Sequence, residues 1–235
     1  MPQTFVPKTY SRVANEQDNS DNQLSGIITK RRVHESHVGS HLLGRFREKY
    51  ESAMLPVGKA LGDLGVSPNA LSILAAVVGL AAGLLYYQGS LVIGALVLLG
   101  SAFLDVLDGA VARAGGKASR FGAVLDHVLD RYVEYIIVIG IVAGGFVSWF
   151  WGIFALIGML LASYSRAAAE SVGGLDSCTI GIAERQEKLL LILAGSALAL
   201  VWSDALQYAM ILVGLISHVT VGQRLLYTWQ NTRAL

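Results

Sequence analysis

Four aspartates lie close together in a stretch that is otherwise largely apolar: Asp105, Asp108, Asp126 and Asp130. The first pair is three residues apart and the second pair is four apart, so on helices each pair shares one face. Carboxylates this close repel one another unless a cation lies among them. A hard divalent ion with oxygen ligands is the simplest such cation, and the spacing therefore predicts a metal site.

A structural network, in which the same acids pair with nearby arginines, is the alternative interpretation. Arg113 and Arg120 bracket the turn between the two pairs, and Arg131 directly follows the last aspartate. Arg131 and Glu134 are three residues apart and are predicted to form a local pair on their helix.

The composition indicates an integral membrane protein. Of 235 residues, 54% are hydrophobic and only 15% are charged, which is too apolar for a soluble domain of this size. Ionisable residues between apolar segments are costly there and are functional candidates by default. A net charge of +1 gives no case for nucleic-acid binding, and the single cysteine, Cys178, excludes an intrachain disulfide.

Six apolar segments predict an all-α membrane domain over residues 61–235. Each is near the ~20 residues that a bilayer requires. They cover about residues 69–87, 91–112, 120–144, 146–168, 184–202 and 205–227. Residues 1–33 are predicted to be a flexible cytoplasmic tail. Residues 34–60 alternate apolar and basic side chains and predict an amphipathic helix at the membrane surface, with a soluble helix packed on the membrane domain as the alternative.

The basic residues predict the orientation in the cell membrane. The turns at 86–90, 144–149 and 202–205 contain no Lys or Arg, whereas the tail, the opposite loops and the C-terminus carry them. Since positive charge is retained in the cytoplasm, we expect both termini and the aspartates to face that side.

The aspartates belong to a longer pattern, D-x-x-D-G-x-x-A-R-x(8)-G-x-x-x-D-x-x-x-D. Besides the four acids, its fixed positions are filled by Gly109, Ala112, Arg113 and Gly122. The pattern resembles the signature of the CDP-alcohol phosphotransferases, and all eight positions match. Together with the six apolar segments, the resemblance covers about residues 60–227.

The resemblance implies a membrane enzyme that transfers a phosphatidyl-type group from a CDP-linked lipid to an alcohol and releases CMP. It implies two divalent ions, Mg²⁺ or Mn²⁺, about 3.5–4 Å apart and held by the aspartates. By the family pattern, Asp105 and Asp126 would bridge the ions, Asp108 would hold one and Asp130 the other. Asp130 would also act as general base toward the attacking hydroxyl.

The resemblance also implies a site for the CDP donor. Gly109 and Ala112 would let the cytidine approach the second span closely, and Arg113 would hold a donor phosphate. Ser119 would contact the nucleotide. Asn69 and Ser72, at the start of the first span, match a segment that lines the same pocket.

The acceptor prediction depends on Arg166 and Arg185, which would suit an alcohol that itself carries a phosphate. Both lie in segments similar to those of inositol-phosphate-using members, although Ala168 stands where those carry a second basic residue. Pairing with headgroups or helix ends is the alternative role for these arginines. We predict that the acceptor is inositol phosphate, that membrane lipids surround the protein and that it forms a homodimer. Glycerol 3-phosphate as acceptor, a divalent-cation transporter and a lipid scaffold with a relic site are the other possibilities.

Overall fold

The computed structural model describes residues 44–115 and 119–232, with side chains from residue 53 onward. Within these ranges the chain forms seven α-helices and no strand. In chain order they are α1 (Gly44–Asp63), α2 (Pro68–Tyr87), α3 (Leu91–Ala114), α4 (Arg120–Ala143), α5 (Trp149–Ser171), α6 (Arg185–Leu198) and α7 (Ala205–Thr232). The predicted tail, the first part of the predicted surface helix (34–43) and the loop at 116–117 lie outside the described residues.

Four helices are long and apolar enough to cross a membrane: α2, α3, α5 and α7. The helix α4 has 24 residues but carries Asp126 and Asp130 of the motif together with Glu134. The helix α6 has only 14 residues, about 21 Å at 1.5 Å per residue. Four of the six predicted spans are thus confirmed by length and composition.

The predicted fifth span is longer than the helix that forms. The apolar run continues to Trp202, but α6 ends at Leu198 and the backbone tightens into a turn, with Val201 N donating to Leu198 O at 3.0 Å. Hydropathy extends past the helix because Leu200 and Val201 are apolar but exposed turn residues.

Helix starts follow local chemistry. Ser67 caps α2, with its Oγ accepting a hydrogen bond from Ala70 N at 3.2 Å, and Pro68 occupies the first helical position. Ser119 caps α4 in the same way, accepting from Gly122 N at 2.9 Å. These caps fix the ends of α2 and α4 that lie beside the aspartates.

Glycines let the backbones of α2 and α4 approach closely. A Cβ on Gly140 would lie 2.1 Å from Gly83 O, and one on Gly79 would lie 2.6 Å from a methyl of Val133. At these glycines the two helices therefore approach too closely for a larger side chain. Around this seam the buried apolar core continues through Tyr86 and its neighbours and packs α4 against α2.

Candidate metal centre and active site

The aspartates come from two helices that meet at one end of the bundle. Asp105 and Asp108 lie in the second half of α3, and Asp126 and Asp130 lie in the first half of α4. One carboxylate oxygen from each of Asp105, Asp108 and Asp126 lies within 4.8 Å of the other two. An all-oxygen, anionic donor set of this size fits a hard divalent cation.

A cavity of about 220 Å³ opens onto these carboxylates. It is lined by the four aspartates, by Val106, Gly109 and Arg113 of α3, and by Glu184, Arg185 and Gln186 at the start of α6. Three separate helices therefore contribute polar side chains to one cavity: aspartates from α3 and α4, and a guanidinium from each of α3 and α6.

Ser72 of α2 orients Asp108. Its hydroxyl donates a hydrogen bond of 2.6 Å to Asp108 Oδ2, and both side chains are buried. The sequence predicted Ser72 as a nucleotide contact, whereas in the structure it contacts a predicted metal ligand. One carboxylate oxygen of Asp108 is held in this way, which fixes the direction of the other.

Arg185 is placed between two of the aspartates. Its Nη1 lies 2.8 Å from Asp105 Oδ2 and its Nη2 lies 2.8 Å from Asp130 Oδ1. The guanidinium thus pairs directly with two of the four carboxylates and offsets part of their charge. Among the described residues, this role falls to Arg185 rather than to Arg113, Arg120 or Arg131, which the network hypothesis had named.

A buried carboxylate one turn beyond Asp130 completes the group. Glu134 is 3% exposed, its Oε2 accepts from Arg131 Nη1 at 2.6 Å, and its Oε1 lies 3.7 Å from Arg185 Nε. The local Arg131–Glu134 pair was predicted from the sequence. Its burial beside Arg185 was not, although the four-residue spacing from Asp130 was a signal for it.

Arg166 lies apart from the cavity lining. Its Nε donates to Glu170 Oε1 at 3.0 Å, and the same oxygen accepts from Cys178 N at 3.0 Å. Of the two residues predicted to bind the acceptor, Arg185 lines the cavity, whereas Arg166 is not among the lining residues and pairs with Glu170 instead.

Arg224 of α7 was missed by the sequence analysis. It is buried, its Nε donates to Ile180 O at 2.8 Å, and its Nη1 donates to Ala162 O. It therefore fastens the loop before α6 to α5 and α7. An isolated arginine inside an apolar segment was the signal that pointed to it.

The predicted donor residues form two groups. A Cβ on Gly109 would lie 3.0 Å from Arg113 Nη1, so the guanidinium of Arg113 folds over this glycine, and Ala112 is half-buried nearby on α3. A Cβ on Gly122 would lie 2.8 Å from Asn69 Oδ1 and 3.0 Å from Ser119 Oγ. Asn69 and Ser119 thus meet at the start of α4, where only glycine leaves room.

Comparison with known proteins supports this geometry. The family model for CDP-alcohol phosphatidyltransferase matches residues 65–221. The chain is 38% identical over 197 residues to the archaetidylinositol phosphate synthase of Methanothermobacter thermautotrophicus, covering 83% of this chain and 98% of that protein.

The fold is similar to solved structures of phosphatidylinositol phosphate synthase from Mycobacterium tuberculosis. One has CDP-DAG bound, with a TM-score of 0.68 and 31% identity over 75% of this chain and 93% of that chain. Another is in complex with manganese and citrate, also with a TM-score of 0.68 and 31% identity, over 75% of this chain and 88% of that one. With its four membrane-length helices, its aspartate motif and these relatives, the chain is an integral membrane protein that belongs to the CDP-alcohol phosphatidyltransferase family.

Proposed function

We propose that this enzyme transfers a phosphatidyl-type group from a CDP-linked lipid to a hydroxyl of inositol phosphate, releasing CMP. The observation that carries the proposal is the cavity in which three clustered carboxylates face Arg185. The similarity to an archaetidylinositol phosphate synthase along most of both chains supports inositol phosphate over glycerol 3-phosphate.

The reaction follows from the donor's chemistry. A hydroxyl of the acceptor attacks the lipid-side phosphorus of the CDP-lipid, a new P–O bond forms and the pyrophosphate P–O bond breaks. The electron pair leaves with CMP, and the hydroxyl proton passes to a carboxylate. We assign that proton to Asp130, which is 14% exposed in its side chain and lies on the cavity wall.

We propose that Asp105, Asp108, Asp126 and Asp130 would hold two divalent ions, Mg²⁺ or Mn²⁺, and that Asp105 and Asp126 would serve as ligands to both. When bound, such ions neutralise charge on the pyrophosphate and on the departing CMP. The protein's own contribution is to fix the carboxylates, as Ser72 does for Asp108 at 2.6 Å.

The donor is proposed to lie along the α3 surface beside the aspartates. Gly109 and Ala112 leave room for the cytidine, and Arg113, already folded over Gly109, contributes a guanidinium for a phosphate. Asn69, Ser72 and Ser119 are assigned to the nucleotide side because they surround the start of α4 and one ligand aspartate.

The acceptor phosphate is proposed to bind Arg185, which lines the cavity, and Arg166, whose guanidinium is 38% exposed and paired with Glu170. The contact between Arg166 and Glu170 would be exchanged for phosphate oxygens when the acceptor arrives. The planar guanidinium suits bidentate contact with a phosphate.

At the scale of the membrane, we propose six crossings, with α4 and α6 shielded by neighbouring helices, and α1 lying at the surface as part of residues 34–60. Residues 1–33 would form a cytoplasmic tail, residues 61–235 the enzyme domain, and two copies a homodimer. A molecular mass of one chain in gentle detergent, after subtraction of bound detergent, would contradict the dimer.

An acceptor panel tests the function. Purified protein with a CDP-lipid and Mg²⁺ should release CMP with inositol phosphate and make the matching phosphoinositol lipid. Glycerol 3-phosphate, free inositol and serine are the comparison arms, each at the same concentration. Faster turnover with glycerol 3-phosphate, or with an alcohol that lacks a phosphate, would overturn the assigned acceptor.

A further inference from the structure

We propose that Glu134 is a positioning residue that receives the Arg185 guanidinium when divalent ions occupy the aspartates. The inference rests on the proposed metal site and adds to it a residue outside the aspartate motif. It follows from how the nitrogens of Arg185 are distributed among three carboxylates.

The structure presents a competition for the same oxygens. Arg185 Nη1 and Nη2 lie 2.8 Å from Asp105 and from Asp130, two of the carboxylates assigned to the ions. A divalent ion bound to either carboxylate repels the guanidinium, which favours its movement away from Asp105 and Asp130 when the ions bind. A buried cation that loses its partners is strongly destabilised unless another anion is within reach.

Glu134 is the anion within reach. Its Oε1 and Arg185 Nε are both buried, and neither has a hydrogen-bond partner among the described residues. They face each other at 3.7 Å, which is too long for a hydrogen bond, and a shift of about 0.8 Å would form one. These two buried groups lie close enough that a small movement would join them, but they form no hydrogen bond in this structure.

Neighbouring side chains hold Glu134 in place beside Arg185. Its other oxygen accepts from Arg131 Nη1 at 2.6 Å, and the same nitrogen lies 2.6 Å from Ser163 Oγ. The buried Lys188 also interacts electrostatically with Glu134. Arg131 and Lys188 therefore compensate part of the negative charge of Glu134, while its Oε1 lies toward Arg185.

The consequence is that one guanidinium serves two states. With the aspartates free of metal, Arg185 neutralises Asp105 and Asp130. With the ions in place, Glu134 holds it through Nε, and its two Nη groups remain at the cavity wall, where the acceptor phosphate is proposed to bind.

Metal affinity, measured without substrates, tests this. Purified full-length protein is titrated with Mn²⁺, and the free ion is followed by electron paramagnetic resonance. Arg185→Gln removes the competing cation and should lower the Mn²⁺ Kd about tenfold. Glu134→Gln removes the alternative partner of the guanidinium, which then stays on the aspartates, and this variant should raise the Mn²⁺ Kd about tenfold. Glu170→Gln, which also takes a carboxylate from an arginine, is the matched control and should leave Kd unchanged.

The double variant separates this role from a simple loss of negative charge. In the Arg185→Gln background, Glu134→Gln should have no further effect on Kd, because there is no guanidinium to receive. If Glu134→Gln still raised the Mn²⁺ Kd about tenfold in the Arg185→Gln background, the inference would be overturned. A wild-type Kd for Glu134→Gln alone would overturn it as well.

Glu134→Asp provides a second route if the glutamine variant does not fold. It keeps the charge but withdraws the carboxylate from Arg185, and it should raise Kd about threefold if a weakened contact is the cause. An unchanged Kd would contradict the inference. Failure of the wild-type protein to bind Mn²⁺ at all would instead overturn the proposed metal site.

Discussion

The four aspartates differ in how the described structure compensates their charge. Asp108 accepts a hydrogen bond from Ser72, and Asp105 and Asp130 share Arg185. Asp126 is the most open of the four, with a side chain 35% exposed and His127 3.9 Å away. An amide at any of these positions would keep the shape and lose the charge, which makes Asn the informative substitution.

Asp105→Asn and Asp126→Asn should each reduce transfer to less than about a tenth of wild type, because each removes a charge that two ions share. Initial rates of CMP release at saturating CDP-lipid and acceptor measure this. Asp204→Asn, in the exposed turn before α7, is the matched control and should retain wild-type rates. Activity in either site variant above that level would argue against shared ligands.

The two arginines that are proposed to bind the acceptor should differ in their kinetic effects. Arg166→Gln should raise the KM for inositol phosphate about ten- to a hundredfold and leave the KM for the CDP-lipid nearly unchanged, since a charge-assisted hydrogen bond is lost. Arg185→Gln should raise the acceptor KM similarly and also alter the metal requirement, because it contacts Asp105 and Asp130. Lysine should rescue only in part.

Equal changes in the KM values of donor and acceptor for Arg166→Gln would place this residue in the framework around Glu170 instead. No change in either KM would remove the contribution of Arg166 to the argument for a phosphorylated acceptor. Measuring both KM values in one series separates these outcomes.

The sequence predicted the aspartate cluster because its residues are local and their spacing matches the helical repeat. It could not predict the partners of these acids, which come from far along the chain. Ser72 is 36 residues from Asp108, and Arg185 is 80 residues from Asp105. Such contacts depend on how helices pack, and spacing along one helix does not encode them.

At the scale of elements, the seam between α2 and α4 sets the position of the acidic face. A Cβ on Gly140 would lie 2.1 Å from the backbone oxygen of Gly83, a contact that flexible side chains cannot relieve. The two helices would have to separate, and the aspartates on α4 would move relative to Ser72 and Asp108.

Gly140→Ala should therefore lower the Tm in detergent, with a loss of stability of about 1–3 kcal/mol from overpacking. Gly100→Ala on α3 is the matched control, because a Cβ there has open space within 4 Å, and it should be neutral or slightly stabilising. Thermal unfolding of both variants measures the difference. Equal Tm values for the two would show that the seam tolerates separation.

Most helix limits could be predicted because caps and glycine turns depend on a few adjacent residues, as Ser67 and Pro68 show for α2. The limit of α6 could not, because apolar residues continue through the turn at 199–202 and hydropathy alone does not distinguish a helix from an apolar turn. The predicted start of the surface helix at residue 34 lies outside the described residues, and the end of α1 at Asp63 lies slightly beyond the predicted limit at residue 60.

At the scale of the whole molecule, the orientation can be tested with single cysteines. Gln88→Cys lies in the turn between α2 and α3, and Ser177→Cys lies in the loop between α5 and α6; both positions are exposed. In intact cells an impermeant maleimide should label position 88 and should label position 177 only after permeabilisation. The reverse pattern would contradict a cytoplasmic active site.

The native cysteine should interfere little with that experiment. Cys178 is buried, and burial raises the pKa of its thiol above the ordinary value, so the reactive thiolate is scarce at neutral pH. The parent protein, labelled under the same conditions, measures the remaining background, and Cys178→Ser removes it.

The central claim is that the aspartate cavity transfers the lipid-bearing phosphate from CDP to the acceptor. The most direct measurement uses two CDP-lipid samples, one labelled with ³²P on the lipid-side phosphate and one on the nucleoside-side phosphate, each with inositol phosphate and Mg²⁺. We expect the first label to appear in the phosphoinositol lipid and the second in CMP, with both transfers absent in EDTA and below about a tenth of wild type in Asp105→Asn. Recovery of the lipid-side label in a water-soluble nucleotide, or equal transfer in EDTA, would contradict it.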